Sequence, residues 1–477
     1  MSTIINVNQN ILEMEYAVRG PIPQRAAKLK QAGKNVIFCN IGNPQALGQP
    51  PLTYHRQVIS LIEEPAKIER ERELKEIFEE SPASNLRYED FISEDILNLS
   101  EEILTKTGMG VGAYTESKGY FFVREAIANF IDKRDRFAPK SNLQSNPESI
   151  FLTDGASDGA KRVLDLLIAK KTDGVMIPIP QYPLYSASIR MFGGVQVNYY
   201  PDEEKDWALN RATLEDAYSK ATQKGVNIKA IVVINPGNPT GSILDARSVH
   251  EVIKFAQAHN IAIIADEVYQ ENLYGGEFVS FAKALGEIKT VPLFSLHSIS
   301  KGFFGECGHR GGYLEVRNPP QISGEDLDFI DLLLKQASVS LCANSVGQIM
   351  TYLMVSPPKK EGKVQEKFIE EKEKVLANLY EKAIMVRKSF EEMDGLEAFG
   401  KTGAMYLFPR LNKLPTGTDD FDYCMALLEE TGLCVVNGSG FGLKNHLRIA
   451  FLPSKKDLED VLPRWIRFHN NYVNGTR

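Results

Sequence analysis

Residues Ala230-Ile231-Val232-Val233-Ile234-Asn235-Pro236-Gly237-Asn238-Pro239-Thr240-Gly241 decide the reading of the fold. An unbroken β-branched run that stops at an amide between prolines is a strand buried on both faces and closed by a fixed turn. A strand with one wet face would alternate; this one does not. Working outward, the same pattern recurs. Strands are expected at 150–153, 175–179, 195–199, 230–235, 261–266, 293–297 and 313–316, with helical windows at 160–169, 214–224 and 248–259 separating several of them. The alternation predicts an α/β fold: a seven-stranded, mainly parallel sheet covered by helices on both faces.

The flanks differ. Residues 36–44 read as a short strand ending in Gly42-Asn43-Pro44, and residues 52–104 as helices, including the charge-rich run 67–80. A glycine-rich loop at 108–112 leads into Ala113-Tyr114, and 121–134 is helical. Beyond about 340 a long charged helix (363–392) precedes short strands at 404–408, 434–437 and 447–451. The expected division is a large domain of residues 100–335 and a smaller α+β domain built from 1–99 and 336–477.

Composition narrows the class. A chain of 477 residues has room for two or three domains, and 43% hydrophobic with 25% charged residues is the balance of a globular enzyme. A net charge of −7 argues against a nucleic-acid partner, and no apolar stretch is long enough for a membrane helix. Met1 to Val7 lacks the basic start and apolar core of a secretory leader, so a cytoplasmic location is expected. The five cysteines are scattered without metal-ligand spacing, which reads as reduced thiols and no metal.

Chemistry-bearing residues collect where strands end, the edge at which open α/β sheets bind ligands. After the first strand, Thr153-Asp154-Gly155-Ala156-Ser157 opens a helix whose free N–H groups (Ala156, Ser157) suit an anion. Tyr182 follows the second strand and can stack on a planar ring. Asn238 closes the fourth, a neutral donor for a phenolate oxygen. Asp266 ends the fifth, where a buried carboxylate needs a cationic partner, and Tyr269 follows three residues on. The sixth leads into Ser298-Ile299-Ser300-Lys301-Gly302-Phe303, with Arg310 nine residues beyond the lysine. Arg448 lies inside an otherwise apolar strand and needs a carboxylate. An amine beside small hydroxyls and a guanidinium, a carboxylate for a pyridinium nitrogen and an arginine for a substrate carboxylate make a site for pyridoxal 5'-phosphate acting on amino acids.

At these residues the chain resembles the fold-type I pyridoxal-phosphate aminotransferases over nearly its whole length, and within them the alanine aminotransferase subgroup. The subgroup-like stretches are Glu15-Tyr16-Ala17-Val18-Arg19-Gly20-Pro21-Ile22, Asn40-Ile41-Gly42-Asn43-Pro44, residues 178–187, residues 300–308 and Gly438-Ser439-Gly440-Phe441-Gly442. The resemblance implies that Lys301 takes the cofactor aldehyde and then moves the proton, and that Asp266 pairs with the ring nitrogen. Asn238 and Tyr269 would bond the ring oxygen, and Tyr182 would stack on the ring. Ala156, Ser157, Ser298 and Arg310 would hold the phosphate. Arg448, with Asn238 and the Gly42 backbone, would hold the substrate α-carboxylate. Tyr114 would reach the phosphate of the other subunit in a homodimer. The implied reaction is alanine plus 2-oxoglutarate to pyruvate plus glutamate; alternatives are another donor pair, such as glutamate with glyoxylate, or a lyase on the same fold. His309 stands where relatives usually carry tyrosine and Asn437 where they usually carry proline. Both are expected at the rim of the site, bearing on substrate preference more than on reaction type.

Overall fold

The computed structural model describes residues 5–14, 16, 20–81, 85, 87, 90–108 and 110–475. Most of the leader reading, all but Gly20-Pro21-Ile22 and Tyr16 of the first subgroup-like stretch, and Met109 of the glycine-rich loop lie outside them.

The seven expected strands form one sheet: β1 (Ile150–Thr153), β2 (Asp173–Pro178), β3 (Val195–Tyr199), β4 (Asn227–Ile234), β5 (Ala262–Asp266), β6 (Leu293–Ser298) and β7 (Gly312–Arg317). Their spatial order is β1-β7-β6-β5-β4-β2-β3. Neighbours run parallel except around β7, which is antiparallel to both β1 and β6. The strand β4 begins three residues earlier than its apolar run. Polar Asn227 caps the pairing by donating to Asp173 Oδ1 at 2.8 Å, a contact that periodicity does not register.

The continuous apolar runs are used on both faces. Ile231, Val233, Ile263 and Ala265 pack with Val249, Val252 and Ile253 of helix Ala246–His259. Alternate residues Ala230, Val232, Ile234 and Ile264 pack with Ala160, Val163 and Leu164 of helix Ala156–Leu167. Each of the valine, leucine and isoleucine side chains removed from water contributes about 1.5–3 kcal/mol, which is why no polar residue interrupts β4 between Ala230 and Ile234.

The later strands are shorter than the sequence suggests. Tyr406–Leu407 (β8), Val436–Asn437 (β9) and Leu447–Ala450 (β10) make a small antiparallel sheet with β10 in the middle. Ile37–Phe38 runs parallel to Leu433–Cys434, so the start of the chain is tied to its far end. The charged helix spans Lys363–Ser389, continued by a turn of 3₁₀ helix.

Candidate active site

The sheet's topology gathers the expected residues at one edge. β1, β2, β4, β5 and β6 all point their carboxyl ends there, delivering Ala156 and Ser157, Tyr182, Asn238, Asp266 and Lys301 in turn. β7 runs the other way, so its amino end meets the same edge: Gly312 lies opposite both Ser298 and Thr153. Arg310, two residues before β7, therefore arrives beside the start of the helix that follows β1. On the small sheet, Arg448 of the central strand β10 faces the cleft. Together these residues line a cavity of about 430 Å³, with Tyr16, Ile41, Gly42, Ser298, Ser300, Cys307 and Tyr406. That volume suits a small ligand.

At one end is an anion cup. Helix Ala156–Leu167 starts with Ala156 and Ser157, and Arg310 Nη2 lies 2.5 Å from Asp154 O and 3.3 Å from Ser157 Oγ. Gly155 has φ +80°, and a Cβ there would stand 2.6 Å from Arg310 Nη2, so only glycine lets the arginine close over the turn. Ser298 and Ser300 share a hydrogen bond of 3.0 Å beneath it.

At the centre, Asp266 is buried and receives the Tyr185 hydroxyl on Oδ2 at 2.8 Å, while Oδ1 has no hydrogen-bond partner among the described residues. Burial pushes this carboxyl up to about 6; Tyr185, the Val268 amide and Lys301 pull it only part of the way back. A half-satisfied, buried acid facing a cavity is a site waiting for a cation.

Lys301 Nζ donates to Gly42 O at 2.6 Å. A Cβ on Gly42 would overlap the Tyr406 hydroxyl and come within 3.4 Å of Nζ, which gives a physical reason for glycine that the sequence alone does not offer. Arg448 is buried, donating to Asn238 Oδ1 at 3.0 Å and Asn40 O at 2.5 Å, with its guanidinium 4.3 Å from the Tyr406 ring centroid. Its Nε has no partner among the described residues. Asn238 Nδ2 reaches the Tyr269 hydroxyl at 3.5 Å, and that hydroxyl donates to Tyr406 at 3.3 Å. Tyr182 closes one wall, held by the Tyr16 hydroxyl at 2.8 Å.

Three further residues stand outside the lining of this chain's own cleft; the role expected of Tyr114 lies at the other subunit's phosphate. Tyr114 does not line this cleft and is 78% exposed. Neither His309 nor Asn437 lines it either. His309 turns away to Glu306 at 2.9 Å, joining His55 and Arg56 on that buried carboxylate, and Asn437 pairs with Leu447 in the small sheet. Sequence reasoning also passed over Tyr185, Ser300, Cys307, Tyr16 and Tyr406. Ser300 sits within the Ser298–Phe303 motif already singled out, so its proximity was a usable signal. Tyr406 had none, because its place depends on pairing with β10.

A sheet of this order thus gathers an amine, a buried acid and one arginine at its carboxyl edge, with a second arginine reaching the same cleft from the small sheet. The family model for aminotransferase class I and II matches residues 85–464, and the chain belongs to that family. Among its relatives are a probable mitochondrial alanine aminotransferase of Dictyostelium discoideum, 39% identical over 99% of this chain and 89% of that one, and glutamate–glyoxylate aminotransferase 1 of Arabidopsis thaliana, 38% identical over 98% and 95%. The solved alanine aminotransferase of Pyrococcus furiosus superposes with a TM-score of 0.76 at 23% identity, covering 98% of this chain and all of that one.

Proposed function

We propose that this aminotransferase uses pyridoxal 5'-phosphate to exchange the amino group between L-alanine and 2-oxoglutarate. The observation that carries the cofactor is Oδ1 of buried Asp266, which has no hydrogen-bond partner among the described residues and would suit a pyridinium N–H. The anion cup fits the phosphate, and Asn238 with Tyr269 fits a ring oxygen. When bound, the cofactor supplies an aldehyde for amine exchange and a ring that accepts electrons from the substrate's α-carbon.

The chain's own residues supply the rest. Arg310, the Ser298 hydroxyl and the Ala156 and Ser157 N–H groups anchor one end of the ligand, and Tyr182 packs its face. Arg448 binds the α-carboxylate beside Asn238 and the Gly42 backbone. Lys301 Nζ, released from Gly42 O, carries a proton to and from the α-carbon, and Asp266 keeps the ring nitrogen protonated so that negative charge has somewhere to go.

For substrate choice, the charged residues lining the described cleft are Asp266, Lys301, Arg310 and Arg448. Each has a role already, so among the described residues no second fixed cation awaits a distal carboxylate. That supports a small donor such as alanine, and leaves the distal carboxylate of glutamate and 2-oxoglutarate to a mobile lysine or arginine or to the partner subunit's rim. Holoenzyme kinetics are expected to rank alanine and glutamate above aspartate and phenylalanine by at least about tenfold in kcat/KM, the discrimination a pocket of this kind can give. Aspartate or phenylalanine beating alanine would overturn the alanine reading and leave the aminotransferase standing. Glutamate with glyoxylate is the second reading, favoured by a relative of almost equal identity. Ammonia formed without an acceptor acid would point to a lyase.

The proposed assembly is a homodimer divided into a large body (100–335) and a smaller one (1–99 with 336–477). Tyr114, Val339 and Leu341 are exposed large side chains. Their exposure supports a partner surface. Sedimentation is expected to give twice the chain mass of 53.3 kDa, and a fully active monomer would remove Tyr114 from the site. Among the described residues no helix is long and apolar enough to cross a membrane. The free cysteines support a reducing compartment. The cytoplasm is our reading of it, to be checked by fractionation.

A further inference from the structure

A second cavity, of about 440 Å³, lies between residues 44–52, helix Lys363–Ser389 and the start of the last helix, Lys455–Val473. It shares no lining residue with the catalytic cleft. The long helix gives it one continuous face: Glu371, Lys374, Val375, Asn378, Leu379 and Lys382 recur at steps of one, three and four residues, the spacing of a single helical stripe. The opposite wall is proline-rich and apolar, with Leu47 and Leu52, and Leu452 closes it from just beyond β10.

The charge in this cavity does not cancel. Lys382 is 5% exposed, and its Nζ makes one hydrogen bond among the described residues, to Leu452 O at 2.8 Å. Burial pulls its ammonium down to about 8 while the Cys39 thiol opposes, so at neutral pH it is still mostly charged. A buried ammonium with one neutral acceptor is costly until an anion joins it. Lys374 lies two turns earlier on the same face, and Lys455 is held at 3.4 Å by Glu381, both of them largely exposed. The one acid in the described lining, Glu371, has both oxygens on Thr53, at 2.7 and 2.5 Å. The start of helix Lys455–Val473 adds its positive end, partly offset by Asp457 in the first turn.

We propose that this cavity is a second ligand site, taking a carboxylic acid with an apolar chain: the carboxylate meets Lys382 and Lys374, and the chain lies against Leu47, Leu52, Val375 and Leu379. The volume is that of a small-molecule site. An amino acid suits it poorly, because its α-ammonium would stand among three lysines; an acid without that group meets no such repulsion. The position also bears on catalysis. Gln49 of the lining donates to Phe303 O at 3.0 Å, two residues past Lys301, and Leu452 follows the strand that carries Arg448. An occupant would touch the supports of both.

The test is titration calorimetry of the holoenzyme with octanoate and with neutral octanamide, for the wild type and Lys382→Met. Methionine keeps most of the length and removes the charge. One octanoate should bind per wild-type chain, and at least about tenfold more weakly to the variant, the loss usual for a hydrogen bond to a buried charge. Octanamide should bind the wild type weakly to a similar degree. Equal affinity of the two proteins for octanoate, equal affinity of the wild type for acid and amide, or no binding up to about 10 mM would overturn the proposal. So would octanoate binding that Arg448→Lys weakens and Lys382→Met leaves alone, which belongs to the catalytic cleft. Should Lys382→Met fail to fold, Asn378→Trp decides: Asn378 is exposed on the lining face, and an indole there should fill the cavity and cost at least tenfold in octanoate affinity. Unchanged affinity in that variant would place the ligand elsewhere. None of these readouts involves turnover, so they hold whether or not alanine proves to be the amino donor.

Discussion

Lys301→Ala is expected to leave a folded protein that still takes up cofactor yet turns over at about 10⁻⁴ of the wild-type rate or less. The lysine is asked to do two things that no neighbour can do. It provides the only amine lining the described cleft, and it moves the proton at the α-carbon. The anion cup of Arg310, Ser298 and the helix start does not involve Nζ, so binding through the phosphate should survive. The measurement is the visible absorbance of the lysine-bound cofactor, which should vanish, beside a coupled assay with alanine and 2-oxoglutarate. Undiminished turnover would remove Lys301 from the centre of the site.

Asp266→Asn should lower the single-turnover rate with alanine by on the order of 10³-fold, about 4 kcal/mol of barrier, because the amide cannot hold a proton on the ring nitrogen. A drop below tenfold would show that the ion pair does not carry that work. The same change is expected to act in the opposite sense on the cofactor-free protein. The folded-state carboxyl is raised from 3.8 to about 6, so the folded state holds its proton more tightly than the unfolded chain does. Stability is therefore lost as pH rises from about 4 through 6, and the ionised, half-partnered acid stays a burden of about 2–4 kcal/mol at pH 7. The substituted amide carries no charge to desolvate. Thermal melts of the cofactor-free proteins at neutral pH should place the variant above the wild type, and adding cofactor should reverse or erase the difference. A variant that melts lower would mean that the hydrogen bond from Tyr185 matters more than the buried charge.

How much of this could be read from the chain depends on which force placed each residue. Most of the strands were legible because both faces of the sheet's interior are dry, leaving apolar runs such as 230–234, while the edge strand 195–199 alternates with exposed Gln196 and Asn198. Lys301, Asp266 and Asn238 were legible because each terminates such a run, and a polar group there needs a purpose. The reversed direction of β7 leaves no trace in its composition, yet it is what carries Arg310 to the anion cup. Tyr406 and Tyr185 were invisible as functional groups for a related reason. One is aimed by a two-residue pairing with β10, the other by the packing of helix Pro183–Met191 against the end of β5, and neither relation has a local period. His309 and Asn437, expected near the rim, adjoin the cleft-lining Arg310 and the strand of Arg448, His309 bonded to Glu306 and Asn437 paired with Leu447.

The tie between the two ends of the chain has a consequence for how the protein is made. Arg448 and the Asn40 carbonyl that it grips are 408 residues apart, and Ile37–Phe38 has no strand to join until Leu433–Cys434 exists. At a synthesis rate of roughly 5–20 residues per second, the segment carrying Gly42 and Asn43 waits about 20–80 s on the ribosome before its partner emerges. The central sheet can assemble meanwhile, its last strand complete at Arg317. During that interval the nascent chain holds a finished cofactor cup and a missing wall, and its buried faces Ile37 and Cys39 stand open to solvent. Chaperone capture of stalled nascent chains should therefore concentrate on the first forty or so residues and cease once the final strands have been released.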